Sequence, residues 1–217
     1  MFIGHWAPAL AVAAKRKSPG LGTLFIAAQL VDWAFFLFVL LGVEKMRLTP
    51  GVSAVSPLDL YFMPYTHSLV GALVWSTAFA LLVLLISRDR TAALLAGAVV
   101  VSHWLLDLLV HVPDLTIAGS PPKLGFGLWN YPAIEMPLEL AITFGALWLY
   151  VRARQPLLGR ALVLGALLLA LQLFNWFGPV APEVTPGTTY LAFVAYGLVT
   201  LAGWWMGKSA GRDPQAH

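Results

Sequence analysis

His103, Asp107 and His111 stand four residues apart in one apolar stretch, an HxxxDxxxH run. On a helix, steps of four turn each side chain by about 40° from the last, so the three fall within a face of about 80°, with about 6 Å of rise per step. His103 and Asp107 can therefore touch one ion. His111, about 12 Å along the axis from His103, is expected at the entrance or in an outer shell, together with Gln29 and Asp114. Other stretches hold more of the same residue types: His5, Asp32 beside Gln29, His67, and Glu135 with Glu139 four residues on. The chain has no cysteine, which excludes a disulfide framework, a thiolate zinc site and a thiol nucleophile. Any metal must rest on imidazole and carboxylate. Such donors suit Zn²⁺ first, or Mn²⁺ or Fe²⁺, and a catalytic site keeps one position open for water. An ion can lower the pKa of a water it binds to about 7, and Glu135 or Glu139 is the expected catalytic base.

The elements that must position these residues are membrane helices. Of the 217 residues 59% are hydrophobic and 11% charged, with mean hydropathy +0.80. A soluble domain runs nearer half apolar and a quarter charged, so a water-facing coat is missing. Windows of about 20 residues, the length that crosses the hydrocarbon core, give six spans. They run from Leu21 to Gly42, Ser68 to Ser87, Thr91 to Val112, Ala133 to Val151, Pro156 to Phe177 and Thr188 to Met206. A shorter apolar piece, Phe2 to Ala14, has its basic cluster behind it rather than in front. It therefore reads as a retained, short or re-entrant helix and not as a signal peptide. The fold class expected is all-α, a polytopic transmembrane bundle forming a single domain over 1–217. Residues 1–151 carry the site. Residues 152–217 supply two spans with no acidic residue or histidine inside the membrane, read as scaffold, and a tail.

The chain holds 13 Lys and Arg against 10 Asp and Glu, with pI near 9.3. Spread over the whole length they make no basic face, so no nucleic-acid partner is expected. They report topology instead. Ten of them, from Lys15, Arg16 and Lys17 through Arg88, Arg90, Arg152, Arg154 and Arg160 to Lys208 and Arg212, fall on one side of the spans; Lys45, Arg47 and Lys123 fall on the other. The richer side is the cytoplasmic one, and the C-terminus lies there. Counting from it at 1.5 Å per residue puts His5 about 15 Å deep, His103 about 20 Å, Asp32 about 22 Å and Asp107 about 26 Å, with His67 and His111 near 32 Å. Glu135 and Glu139 enter the same layer from the outer side. Ionisable residues inside spans are costly and mark sites or pathways; here they gather in the outer half.

Thr66-His67-Ser68 opening a span, Ser102-His103-Trp104-Leu105-Leu106-Asp107 in the next, and an N-terminal histidine followed by an intramembrane aspartate together resemble the YdjM-like family of membrane-bound metal-dependent hydrolases of the bacterial inner membrane. The stretches Leu21 to Asp32, His111-Val112-Pro113-Asp114-Leu115 and Gly125-Phe126-Gly127-Leu128-Trp129-Asn130 carry the same flavour, so the match covers about the first two thirds of the chain. The resemblance implies a metal-binding set of His5, Asp32, His67, His103 and Asp107. The HxxxD pair is also similar, more loosely, to pairs in zinc-dependent phospholipases C. Two departures stand out. Tyr61-Phe62-Met63-Pro64-Tyr65 replaces a His-Arg-Gly stretch, and Asp32 lacks the paired carboxylate that many members have near it. The second departure counts against a dinuclear site more than against a mononuclear one.

Each residue also has a plainer reading. A histidine in a span can simply bond a neighbouring helix, a His-Asp pair can offset its own burial, and Glu135 and Glu139 can stabilise a helix start. Asp32 resists such a reading, because an unpaired carboxylate at that depth would need a partner. Two functions follow. One is a hydrolase of a lipid, or another ester or phosphoester, reached among membrane lipids from the outer leaflet. The alternative is a proton or cation transporter or channel using the same cluster. A relay would have to continue inward, and the spans offer no charged residue between this layer and the cytoplasmic cations. A non-catalytic scaffold would leave the clustering unexplained.

Overall fold

The computed structural model describes residues 1–15 and 17–210. Arg16 and Arg212, two of the orienting cations, and His217 lie outside the described residues. A 3-10 turn at Ile3–His5 leads into α1 (Trp6–Ala13). Six long helices follow: α2 (Leu21–Leu40), α3 (Leu69–Ser87), α4 (Arg90–Val110), α5 (Pro132–Arg154), α6 (Leu158–Phe177) and α7 (Pro186–Gly207). All six are long and apolar enough to cross a membrane. The expected spans are thus present, with ends displaced by a few residues.

The helix ends follow local chemistry. The Ser68 hydroxyl accepts from the backbone N–H of Gly71, and Asp89 accepts from those of Thr91 and Ala92, satisfying donors that the first turns of α3 and α4 leave open. Thr185 and Thr188 form a reciprocal capping box at the start of α7. Pro132, which has no N–H to satisfy, opens α5. Arg88, in the left-handed region at φ 56°, ends α3 and reverses the chain directly into α4. The loops that follow α2 and α4 are themselves ordered. The first holds an antiparallel pair, β1 (Lys45–Leu48) with β2 (Leu58–Phe62); the second holds β3 (Leu115–Thr116) with β4 (Lys123–Leu124).

Helix α1 resolves the ambiguity of the apolar N-terminal piece. Its eight residues and the preceding turn reach about 16 Å, half a bilayer core. Yet Ile3, Trp6, Ala9 and Leu10 are completely buried, because α2, α4 and α5 surround them. A short segment at membrane depth is tolerable only when protein covers it in this way. Between lipid-bathed helices apolar burial gains little, and close van der Waals fit does the holding. Helices α2 and α7 meet in this way: a Cβ at Gly203 would run into the Phe25 ring, and one at Gly22 into Trp204. That close approach carries Tyr196 of α7 to Asp32 of α2. The outward faces of α3, α4 and α6 show Leu85, Ile86, Leu94 and Leu162, as lipid contact requires.

Candidate metal centre

Asp107, in the last turns of α4, is the hub. Its Oδ2 faces His103 Nε2 at 3.2 Å and His67 Nε2 at 3.6 Å. Its Oδ1 faces His5 Nε2 at 3.0 Å, His111 Nε2 at 3.2 Å and the Met1 amine at 3.1 Å. Asp32 completes the first group, with Oδ1 3.3 Å from His67 Nε2 and 3.4 Å from His103 Nε2. His5, His67, His103, His111 and Asp107 are all buried. Asp32, His67 and His103 each offer a donor atom within 4.8 Å of the others, and so do His5, His103 and Asp107. A buried group of histidines and aspartates that could hold a metal ion is therefore present. All five residues expected from the sequence as ligands come together in it.

The outer nitrogens of three of these rings are tied off. His103 Nδ1 lies 2.9 Å from the carbonyl oxygen of Ala28, which can only accept. His111 Nδ1 lies 2.9 Å from Asp114 Oδ1. His67 Nδ1 lies 2.8 Å from the Thr66 hydroxyl, which donates its own proton to Glu44 Oε2 at 2.6 Å and so must accept from the ring. In the neutral ring each Nδ1 carries the proton and each Nε2 is left with a lone pair aimed at carboxylate oxygens. Carboxylates orienting histidines in this manner are the usual second layer of a metal site. Two acceptors at 3.2 to 3.6 Å require a cation between them, a proton or a metal ion. For His111, burial disfavours charge, but Asp107 and Asp114 on its two sides outweigh it and push the pKa up to about 9. The metal must compete with that proton. At His5 and His103 the Nε2 atoms lie close to Asp107 oxygens, yet among the described residues neither makes a well-aligned hydrogen bond.

His111 departs from the expected geometry in an informative way. It does lie far along the axis from His103, and it does not share an oxygen with it. Its N–H still donates to the Asp107 carbonyl at 2.8 Å and its ring meets the Asp107 carboxylate at ordinary i,i+4 helical spacing, while its ψ of 146° ends α4 and turns the following chain away. Trp129 stacks on that ring with centroids 4.2 Å apart, and Gly127 N–H holds the His111 carbonyl at 2.7 Å. It contacts the cluster and also lines the cavity that opens onto it. Gln29 and Asp114 do take the outer positions expected of them: Gln29 Nε2 donates to Asp32 Oδ2 at 2.6 Å, and Asp114 holds His111.

The two glutamates separate in role. Glu139 Oε1 accepts from the backbone N–H groups of Phe2 and Gly4 at 2.6 and 2.9 Å, and Oε2 accepts from Gln172 at 3.0 Å. It clamps the turn that delivers His5, an occupation that leaves it poorly suited to act as a base. Glu135 is fully buried, and among the described residues neither of its oxygens has a hydrogen-bond partner. The last two spans prove to be more than scaffold, since Gln172 of α6 holds Glu139 and Tyr196 of α7 donates to Asp32 Oδ2 at 3.2 Å. Asp32 is thus not unpaired; Gln29 and Tyr196 occupy one oxygen and leave the other for the histidines.

A cavity of about 470 Å³ opens onto the cluster. Asp32, His67, Asp107, His111, Glu135 and Glu139 line one part, while Phe35, Phe36, Leu171, Phe174, Leu191 and Ala195 line much of the rest. Among the described residues no lysine or arginine faces it. Sequence reasoning missed Glu44, Thr66 in its bonding role, Trp129, Gln172 and Tyr196. The signal available for Glu44 was a lone acid directly after an apolar span; for Gln172 and Tyr196 there was none beyond polarity in an apolar helix. Comparison with family models, with curated proteins and with solved structures finds no match to this chain.

Proposed function

We propose that this protein is a metal-dependent hydrolase of the membrane, with Zn²⁺ held by Asp32, His67, His103 and Asp107. The observation that carries the reading is the set of imidazoles whose Nδ1 atoms are tied to Ala28, Glu44 through Thr66, and Asp114, with Nε2 lone pairs converging on two carboxylates. A divalent ion there would supply Lewis acidity and an acidified water. The chain's own residues supply the rest. Glu135, which lines the same cavity as the cluster and has no hydrogen-bond partner among the described residues, would take the proton of the attacking water and return it to the leaving group. Tyr196 and Gln29 hold Asp32 in place, and Glu139 holds the N-terminal turn.

The apolar cavity walls suit an amphiphile whose chains lie along Phe35, Leu171 and Leu191 while its head reaches the cluster. No lysine or arginine among the described residues lines the walls, and the Met1 amine there is already paired with Asp107, which favours an ester or phosphodiester over a phosphomonoester. The resemblance to the YdjM-like family and the distribution of cations support a place in a bacterial cytoplasmic membrane, with the C-terminus inside and the site in the outer half.

The test is hydrolysis of amphiphilic chromogenic esters and phosphodiesters by the purified full chain in lipid nanodiscs. Turnover should disappear on chelation, return with Zn²⁺ or Mn²⁺, and be absent in Glu135→Gln. Turnover indifferent to chelator would contradict the proposal.

A further inference from the structure

The two oxygens of Asp107 face different partners, and we infer that this carboxylate bridges two metal ions, the second held by His5 and His111. This deepens the proposal above and rests on it. Around Oδ2 stand His67 and His103, with Asp32 as the second carboxylate, a complete set for one ion. Around Oδ1 stand His5 Nε2 at 3.0 Å and His111 Nε2 at 3.2 Å, neither of which approaches Oδ2, and the Met1 amine at 3.1 Å, which an ion there must displace or take as a neutral donor. No one group of mutually close donor atoms holds all four imidazoles: His67 and His103 converge with Asp32, His5 and His103 with Asp107, and His111 reaches only Asp107 Oδ1. Two ions on opposite oxygens of one carboxylate fall at the separation of about 3.5–4 Å typical of two-metal hydrolytic sites.

The second position has its own supports, although His5 and His111 stand further apart than the donors of the first and must close in on an ion. His111 is fixed by Asp114 on its far nitrogen and by Trp129 across its face. Gly125 permits this: its φ is 156°, and a Cβ there would strike the carbonyl groups of His111 and Val112. His5 stacks on His103 with centroids 3.6 Å apart, fully buried, and apart from the 3.0 Å approach of its Nε2 to Asp107 neither ring nitrogen has a hydrogen-bond partner among the described residues, an arrangement costly for a histidine with no ligand to bind. Glu139 spends both oxygens holding the turn that brings His5 there. The absence of a second carboxylate beside Asp32, which in sequence counts against a dinuclear site, is answered by Asp107 serving both ions.

Elemental analysis of the full chain, purified in detergent without chelator and reloaded with Zn²⁺, tests this. Wild type should carry two ions per chain, and His111→Gln and His5→Gln one each, the retained ion also reporting that those variants fold. One ion per chain in wild type, unchanged in His111→Gln, would overturn the second position and leave the proposed function standing. No ion at all in wild type would remove both. Should the variants not fold, Mn²⁺-loaded wild type decides: the electron paramagnetic resonance signal of an exchange-coupled pair supports the bridge, and only the six-line spectrum of isolated ions overturns it.

Discussion

Glu44 accepts a 2.6 Å hydrogen bond from the Thr66 hydroxyl, and that bond fixes which nitrogen of the neighbouring His67 faces Asp32 and Asp107. The same carboxylate also takes the N–H groups of Tyr65 and Thr66, so it anchors the segment leading into α3 as well as the tautomer of its first ligand.

Thr66→Val keeps the shape of that side chain and removes its hydroxyl. Loss of an outer partner of a metal-bound histidine typically costs 10- to 100-fold in affinity. Competition with a calibrated zinc chelator should therefore show weakening of about 10-fold or more. Unchanged affinity would mean that His67 is not a ligand.

Glu135 and Glu139 should respond differently to the same change. Glu135→Gln is expected to retain metal and fold while losing about 10²- to 10⁴-fold in turnover, the usual contribution of a general base. Glu139→Gln should instead loosen the N-terminal turn, read as a lower thermal midpoint in detergent and faster proteolysis near Phe2 and Ile3, because its two backbone acceptor contacts are weakened. Equal losses of turnover with no stability difference would contradict this division.

Tyr196→Phe removes the donor to Asp32 Oδ2 but leaves Gln29 in place. A modest fall in metal affinity is expected, and Tyr196→Phe combined with Gln29→Leu should exceed the sum of the two single changes in free energy, since both act on one oxygen. Strict additivity would show that Asp32 is held elsewhere.

Acidification should release the metal. Histidine ligands bind as neutral rings, so protons compete with the ion and affinity falls as pH falls. Dialysis at stepwise lower pH should show bound metal declining, with recovery on return to neutral pH in the presence of Zn²⁺. Retention to strongly acidic pH would argue that carboxylates alone hold the ion.

The pairing of His103 with Asp107 was legible because both lie on one helix, where spacing translates directly into a face. The six long helices were legible for a similar reason: hydrocarbon thickness sets their length. The rest of the site is made by contacts that no local period encodes. Tyr196 meets Asp32 across 164 positions and Glu139 meets Phe2 across 137. His111 meets Asp107 at the i,i+4 spacing legible in the HxxxDxxxH run; what the run did not show is that the chain leaves α4 there and brings Asp114 and Trp129 onto the same ring. Helix ends are the least legible part of a sequence, and here one of them supplies the outer partners of a site histidine.

The central claim, that His67, His103, Asp32 and Asp107 hold a divalent metal, is tested most directly by inductively coupled plasma analysis of the purified protein, prepared without chelator, beside the His103→Ala, Asp107→Ala double variant. Stoichiometric zinc or manganese in wild type and none in a folded double variant is the predicted result. Metal-free wild type that stays metal-free after incubation with Zn²⁺ and Mn²⁺ would contradict the account.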